Sequence, residues 1–204
     1  MKLYYSPGAC SLSPHIALLE AGLAHDLVKV DLRAKKLENG DDYLAVNPKG
    51  QVPALRLDSG ELVTEGPVIV QMIADRVSAK NLAPARDSVE RYKLQEWLTF
   101  INSEVHKSFG PMFSPVLADE AKAFFKDRVM GKFRYVESQL AGRDYLMGSQ
   151  FTVADGYLFT MLSWADRMKF DLSGLPKLLA YKARVAARPK VQEAIAKESQ
   201  TRAA

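Results

Sequence analysis

The chain has 204 residues, 48% of them hydrophobic and 25% charged, the ordinary balance of a soluble globular protein with room for one or two cored domains. No apolar run approaches the roughly 20 residues that a membrane span requires, and no signal-peptide hydrophobic region precedes the first strand signal. One cysteine excludes an internal disulfide, which makes a reducing, cytoplasmic setting the simpler expectation. The net charge is a mild +4: residues 1–80 carry 9 basic and 10 acidic side chains, residues 81–204 carry 19 and 14. No basic stripe interleaved with aromatics stands out along the chain, so nucleic acid is not an expected partner.

Lys2-Leu3-Tyr4-Tyr5 reads as a strand, Ser6-Pro7-Gly8-Ala9 as a turn, and Leu12, Ile16, Leu19 and Leu23 recur at helical spacing. The lone cysteine, Cys10, falls at this strand-to-helix junction. Unpaired N–H groups and the helix dipole there favour the thiolate, the nucleophilic form. The other reading of the same residue is a small buried core thiol. Leu27–Asp31 reads as a second strand. Pro53–Leu57 and Glu61–Thr64 read as two more, joined by Asp58-Ser59-Gly60, and a helix is expected over 66–78. This β-α-β, loop, hairpin, helix order predicts a small α/β domain on a mixed sheet over residues 1–80. Residues 79–87 have linker character, and residues 87–204 read as a helix bundle. Its helices are expected over 88–109, 119–140, 153–169, 176–187 and 189–199, the first ended or kinked by Gly110-Pro111.

Three further segments carry chemistry. Pro53 opens a strand, which suits an edge strand or a special backbone geometry; a cis Val52–Pro53 bond would turn the preceding backbone outward toward a peptide-like ligand. In Thr64-Glu65-Gly66-Pro67 a strand runs into a helix N-terminus. Its N–H groups can receive a carboxylate and Glu65 an ammonium group; the plain alternative is a capping turn with a solvated Glu. Thr152-Val153-Ala154-Asp155 has capping-box spacing and reads as a folding element, with Asp155→Ala expected to cost about 1 kcal/mol or more.

Tyr5-Ser6-Pro7-Gly8-Ala9-Cys10-Ser11, Asn47-Pro48-Lys49-Gly50-Gln51-Val52-Pro53, Thr64-Glu65-Gly66-Pro67 and Phe151-Thr152-Val153-Ala154-Asp155 occur in the order and spacing of cytosolic glutathione transferases. With Cys10 and the downstream Glu104-Val105-His106-Lys107, the chain resembles the bacterial beta class over essentially its whole length. The resemblance implies an α/β thioredoxin-like N-terminal domain followed by an all-α helical-bundle C-terminal domain. It implies glutathione as co-substrate, with no permanently bound cofactor and no metal, and a homodimer whose interface involves the helical domain.

Residue by residue, the resemblance gives Val52 the place before a cis-proline, its backbone pairing with the cysteinyl part of glutathione. Glu65 and Gly66 would hold the γ-glutamyl end, and Lys35, in Arg33-Ala34-Lys35-Lys36, would face the glycine carboxylate. Thr99, Ser103, Glu104, His106 and Lys107 fall on the first helix of the second domain, in the segment that reaches glutathione in the beta class. Thr99 stands where relatives commonly carry Asn, so the longer amide reach is absent. Cys10 and His106 are the catalytic candidates, the imidazole polarising the thiol or stabilising negative charge, with Tyr5 and Ser11 as nearby hydroxyls. Phe109, Met112, Phe113, Tyr157, Met161 and Trp164 are candidates for an apolar second-substrate pocket; ordinary bundle core is the alternative for each. The implied function is conjugation of glutathione to apolar electrophiles. The alternatives are a glutathione-dependent thiol–disulfide oxidoreductase or peroxidase using Cys10 covalently, and a non-enzymatic binder of apolar ligands.

Overall fold

The computed structural model describes residues 1–203, with side chains through Gln200. It divides into two compact units, residues 1–83 with 187–204 and residues 84–186. Among the described residues no helix is long and apolar enough to cross a membrane.

The first unit is built on a five-stranded mixed sheet in the order β3-β2-β1-β4-β5. Strand β1 (Lys2–Tyr5) runs parallel to β2 (Asp26–Asp31), with Leu3 opposite Leu27, and antiparallel to β4 (Ala54–Arg56), with Leu3 opposite Leu55. Strand β5 (Leu62–Thr64) closes the hairpin with β4. Strand β3 (Lys36–Leu37) adds an edge on β2 that the sequence did not announce. Two residues inside a charged loop carry no period-two signal. The parallel β1–β2 pair requires a crossover, and α1 (Leu12–Ala21) supplies it. Leu12, Ile16, Leu18 and Leu19 are buried, and Gly22 ends α1 with a left-handed φ of 70°. Helix α2 (Gly66–Asp75) opens with Pro67 in its first turn and buries Ile69, Val70 and Ile73.

The second unit is helical: α3 (Val89–Phe100), a π-helical turn (Ile101–His106), α4 (Lys107–Phe109), α5 (Asp119–Gln139), α6 (Val153–Arg167) and α7 (Pro176–Ala186). Ser88 caps α3 by accepting the Arg91 N–H, and Gly110-Pro111 diverts the chain into a short 3-10 turn, as the sequence predicts. The wider π turn inside the expected helix is a difference. Its wider i→i+5 hydrogen-bond ring has no signature in apolar spacing.

The last helix, α8 (Pro189–Ala203), joins the first unit, whereas the sequence reading placed everything from 87 onward with the bundle; Ala204, the end of that range, lies outside the described residues. The reason is a set of long-range contacts. Val191 and Ala194 are buried, Arg188 holds Glu20 of α1 through two hydrogen bonds of 2.7 and 2.9 Å, and Glu198 reaches the chain ahead of α1. The α/β domain and the helical domain thus match the expected fold class.

Asp155 shows why α6 begins where it does. Its carboxylate is fully buried and accepts four hydrogen bonds: from the N–H and hydroxyl of Thr152 (2.7 and 2.9 Å), the Leu146 N–H (2.9 Å) and the Tyr181 hydroxyl (2.9 Å). Burial pushes its pKa up against the downward pull of these donors. Burial and the neighbouring Asp155 charge also push the Tyr181 hydroxyl well above its ordinary value. The expected cap is therefore a hub that ties α6, α7 and the preceding loop together.

Candidate active site

In the first unit the Cys10 sulfur lies 3.2 Å from the Val52 carbonyl, and the Val52–Pro53 bond is cis. A carbonyl can only accept, so this hydrogen bond exists while Cys10 carries its proton. The loop leading to Val52 is held from beneath. Lys35 donates to the Gly50 carbonyl (2.7 Å), and Tyr43 and Asn47 both donate to the Gln51 carbonyl (2.8 Å each). Gly50 has a φ of 60°, and a Cβ there would sit 3.0 Å from Leu44 and 3.4 Å from Lys35, so glycine fits both the backbone and the space. Lys35, expected to face a carboxylate, also braces this loop.

Glu65 stands between β5 and α2 with a φ of 69°, a conformation non-glycine residues rarely adopt and one that clusters at functional sites. Its carboxylate takes Lys49 Nζ at 2.7 Å, and the same ammonium reaches the Thr64 hydroxyl at 3.0 Å. Lys49 thus shows that Glu65 can receive an ammonium group. Gly66 is the first residue of α2; Pro67 has no N–H, and the Val68 and Ile69 N–H groups donate to the Glu65 carbonyl at 3.0 Å each, which leaves the Gly66 N–H at the helix start.

The sequence places Ser11 and Tyr5 as hydroxyls near the thiol. Ser11 is instead buried, its hydroxyl accepting the Ser6 N–H (3.2 Å) and donating to the Ser6 carbonyl (3.3 Å), which staples the Cys10 loop. Tyr5 is buried with its ring beside His15. Below the loop, Glu198 of α8 accepts the Gly8 N–H at 2.7 Å and lies 3.0 Å from His15 Nδ1, with Glu198 only 3% exposed. Sequence reasoning missed Glu198, His15, Tyr43, Asn47 and Lys49. Only Asn47 and Lys49 had a signal, their place inside the Asn47–Pro53 motif.

In the second unit, His106 ends the π turn. Its Nδ1 lies 2.7 Å from the Tyr157 hydroxyl, which donates to Asn102 Oδ1 at 2.9 Å, and Trp164 packs edge-on against the ring. Burial pulls the imidazole pKa down to about 4, helped by the Lys107 charge, so His106 is neutral near pH 7. Thr99, Ser103 and Lys107 are exposed, the Ser103 hydroxyl donating to the Thr99 carbonyl at 2.9 Å. Glu104 pairs with Lys132 at 2.7 Å, and that hydrogen bond and charge hold its carboxyl below the usual range.

The apolar candidates separate. Phe109 and Met161 are 0% exposed, which moves both from pocket to core: their surfaces are spent on neighbours such as Phe133 and Phe170 around Phe109. Tyr157 and Trp164 are buried at the edge of the same cluster. Met112 is half-buried and Phe113, 54% exposed, stands edge-on to Trp164 at 5.1 Å. Elsewhere in this unit a groove of about 840 Å³ between α3 and α5 carries Trp97, Phe100 and Tyr135. The fold gathers basic side chains there that are dispersed in sequence, but Lys93, Lys132 and Arg134 are each paired with an acidic residue.

The His106 shift makes an acid-stability prediction. Below pH 6.5 the unfolded chain binds a proton that the folded chain refuses until about pH 4, so stability falls as pH drops through that window. Urea unfolding at pH 7 and 4.5 should show the unsubstituted protein losing about 2 to 3 kcal/mol more than His106→Asn. Equal losses in the two proteins would place the imidazole in contact with water.

Comparison with known proteins agrees with this geometry. Residues 8–76 match the family described as Glutathione S-transferase, N-terminal domain, and residues 103–198 the family described as Glutathione S-transferase, C-terminal domain. The glutathione S-transferase GstA of Escherichia coli O157:H7 is 50% identical over 198 residues, covering 97% of this chain and 98% of that one. A sphingomonad glutathione S-transferase complexed with glutathione superposes with a TM-score of 0.94 at 49% identity, covering 98% and 99% of the two chains. The bacterial beta class glutathione S-transferase of Sphingomonas chungbukensis does so with a TM-score of 0.94 at 49% identity, covering 97% and 98%. A cysteine facing the residue before a cis-proline, an ammonium-binding glutamate at a helix start and a full-length match at this identity lead to one conclusion: the chain belongs to the glutathione S-transferase family, in the bacterial beta class.

Proposed function

We propose that this protein binds glutathione in its first unit and activates the tripeptide's thiol for attack on apolar electrophiles, in the cytoplasm and as a homodimer. The observation that carries the reading is the Cys10–Val52–Glu65 arrangement. A peptide-pairing backbone segment beside a thiol, with a carboxylate already receiving an ammonium group, suits a γ-glutamyl peptide bearing its own sulfur. The Gly66 N–H at the start of α2 is offered to the γ-glutamyl carboxylate, and Lys35 is a cation for the glycine end. Glutathione bound by a relative of 49% identity supports the same ligand here.

The boundaries we assign to function are residues 1–80 for glutathione and 87–204 for the second substrate and part of the dimer interface. Thr99, Ser103, Glu104, His106 and Lys107 are assigned to the glutathione side. Met112 and Phe113, with the edges of Tyr157 and Trp164, supply apolar surface for an electrophile. The α3–α5 groove with its aromatic wall is the candidate face for the second copy. Glutathione is a co-substrate consumed in the reaction.

The test is retention on immobilised glutathione, followed by a panel of aryl halides, peroxides and disulfides. Retention with conjugation of an aryl halide is expected, from a species sedimenting at twice 22.7 kDa. Absence of retention at millimolar glutathione would sink the reading. Cys10→Ala should lower thiol–disulfide activity by about a hundredfold or more and conjugation by less than about tenfold, because only the first needs a covalent bond to Cys10. Equal losses would show that both reactions use the Cys10 sulfur in the same way.

A further inference from the structure

We propose, on the reading that glutathione binds in the first unit, that Tyr43 and Asn47 are positioning residues. They aim the Val52 N–H as the donor for the main-chain carbonyl of the ligand's cysteinyl residue. The Gln51–Val52 peptide bond is trans, so its carbonyl and its N–H point to opposite sides. The carbonyl takes the Tyr43 hydroxyl and the Asn47 side-chain amide, each at 2.8 Å. Both donors come from the protein interior, Tyr43 being 0% and Asn47 2% exposed. The N–H is therefore turned away from these two side chains. It has no hydrogen-bond partner among the described residues, although Val52 is only 7% exposed. Main-chain donors in so buried a residue are nearly always paired, and this one is left for a ligand acceptor.

Neither interior donor is free to turn. Tyr43 opens a 3-10 turn (Tyr43–Ala45), and its N–H donates to the Lys35 carbonyl at 2.9 Å. Its ring packs on Tyr4 of β1 at 5.7 Å, in the apolar cluster that also holds Val30, Val52 and Ala54. Burial pushes the phenol pKa above its ordinary value, so Tyr43 keeps the proton it donates. Asn47 Oδ1 accepts the Lys49 N–H at 3.2 Å, which leaves the Nδ2 end for Gln51. The Asn47 N–H donates to the Tyr43 carbonyl at 2.9 Å and ties the two residues together. Two donors on one amide oxygen also draw electron density from the amide nitrogen, which makes the Val52 N–H a stronger donor. Lys35 holds the preceding Gly50 carbonyl at 2.7 Å, so two successive carbonyls are fixed ahead of Val52. A tripeptide then meets a donor already aimed, and less ordering cost is left to binding.

The test compares glutathione with γ-glutamylcysteamine, which keeps the γ-glutamyl head and the thiol but lacks the cysteinyl carbonyl. Gln51–Val52 is the only Gln-Val pair in the sequence, so 15N-valine with 13C-carbonyl glutamine labelling singles out the Val52 amide. Glutathione should move that amide proton downfield, and γ-glutamylcysteamine should leave it in place. Tyr43→Phe, which keeps the ring, should raise the Kd and KM for glutathione at least about fivefold with little change in kcat. Its Kd for γ-glutamylcysteamine should change less than about twofold. Asn47→Asp keeps the acceptor for Lys49, loses the donor to Gln51, and should show the same split. Equal weakening of both ligands, or of neither, overturns the proposal, because a merely structural role loosens the loop for both. Should the variants fail to fold, the labelled unsubstituted protein decides, and an amide that answers both ligands alike overturns the proposal. If glutathione does not bind the unsubstituted protein, the glutathione reading falls and this inference with it. If glutathione binds and the Val52 amide does not move, that reading stands and this inference alone fails.

Discussion

Replacing Asp155 with alanine is expected to destabilise the protein by about 4 kcal/mol, several times the cost of a solvent-exposed cap. Four donors converge on this fully buried carboxylate, and alanine would strand the Leu146 and Thr152 N–H groups and the Thr152 hydroxyl and leave the Tyr181 hydroxyl only the Asp155 main-chain carbonyl at 3.4 Å. Each buried donor left without an acceptor costs about 1 to 3 kcal/mol, reduced where the site relaxes or water enters. Asp155→Asn keeps one of the two oxygens and should lose less. Because the hub joins α6, α7 and the loop before α6, the loss should appear as a lower urea midpoint with an unchanged slope. A loss under 1 kcal/mol would show that the four bonds are replaced by water and that Asp155 is an ordinary cap.

Glu198→Ala is the second large effect, and it acts on the site as well as on stability. The carboxylate holds the Gly8 N–H and faces Nδ1 of the fully buried His15. Removing it takes an acceptor from the part-buried Gly8 N–H and the partner from the buried His15 Nδ1, in a region where His15 Nε2 already has no partner. The expected loss is about 3 kcal/mol, or roughly 6 to 12 °C in thermal midpoint for a chain of this size. Gly8 lies two residues before Cys10 in the loop that Ser11 staples, so loosening its N–H shifts the thiol relative to Val52. Turnover should therefore fall in Glu198→Ala even at temperatures where the protein remains folded. Glu198→Gln, which keeps an acceptor for Gly8, should recover most of the activity. Full activity in the folded alanine variant would confine Glu198 to holding α8 in place.

The first unit was largely legible because its signals are local. Apolar spacing marked α1 and α2, Asp58-Ser59-Gly60 marked the β4–β5 hairpin, and Pro67 marked the first turn of α2. The placement of Cys10, Val52 and Glu65 followed from motifs that act through backbone close to them in the chain. The cis bond was different: the dipeptide permits either isomer, and only resemblance pointed to cis.

What the residues determined alone was which of the longer segments become strand or helix, β3 and the π turn apart, where the lone thiol sits, and that Asp155 begins a helix, since propensity, capping and turn chemistry operate within a few positions. Tertiary structure decided the rest. It sent α8 back to α1, made Glu198 a partner of Gly8 across 190 positions, moved Phe109 and Met161 into the core, and set Asn102, Tyr157 and His106 in one hydrogen-bonded row. Those outcomes depend on burial and on donors and acceptors brought together from distant parts of the chain. A buried polar group must find its partner wherever the fold supplies one, and no local pattern records which partner that is.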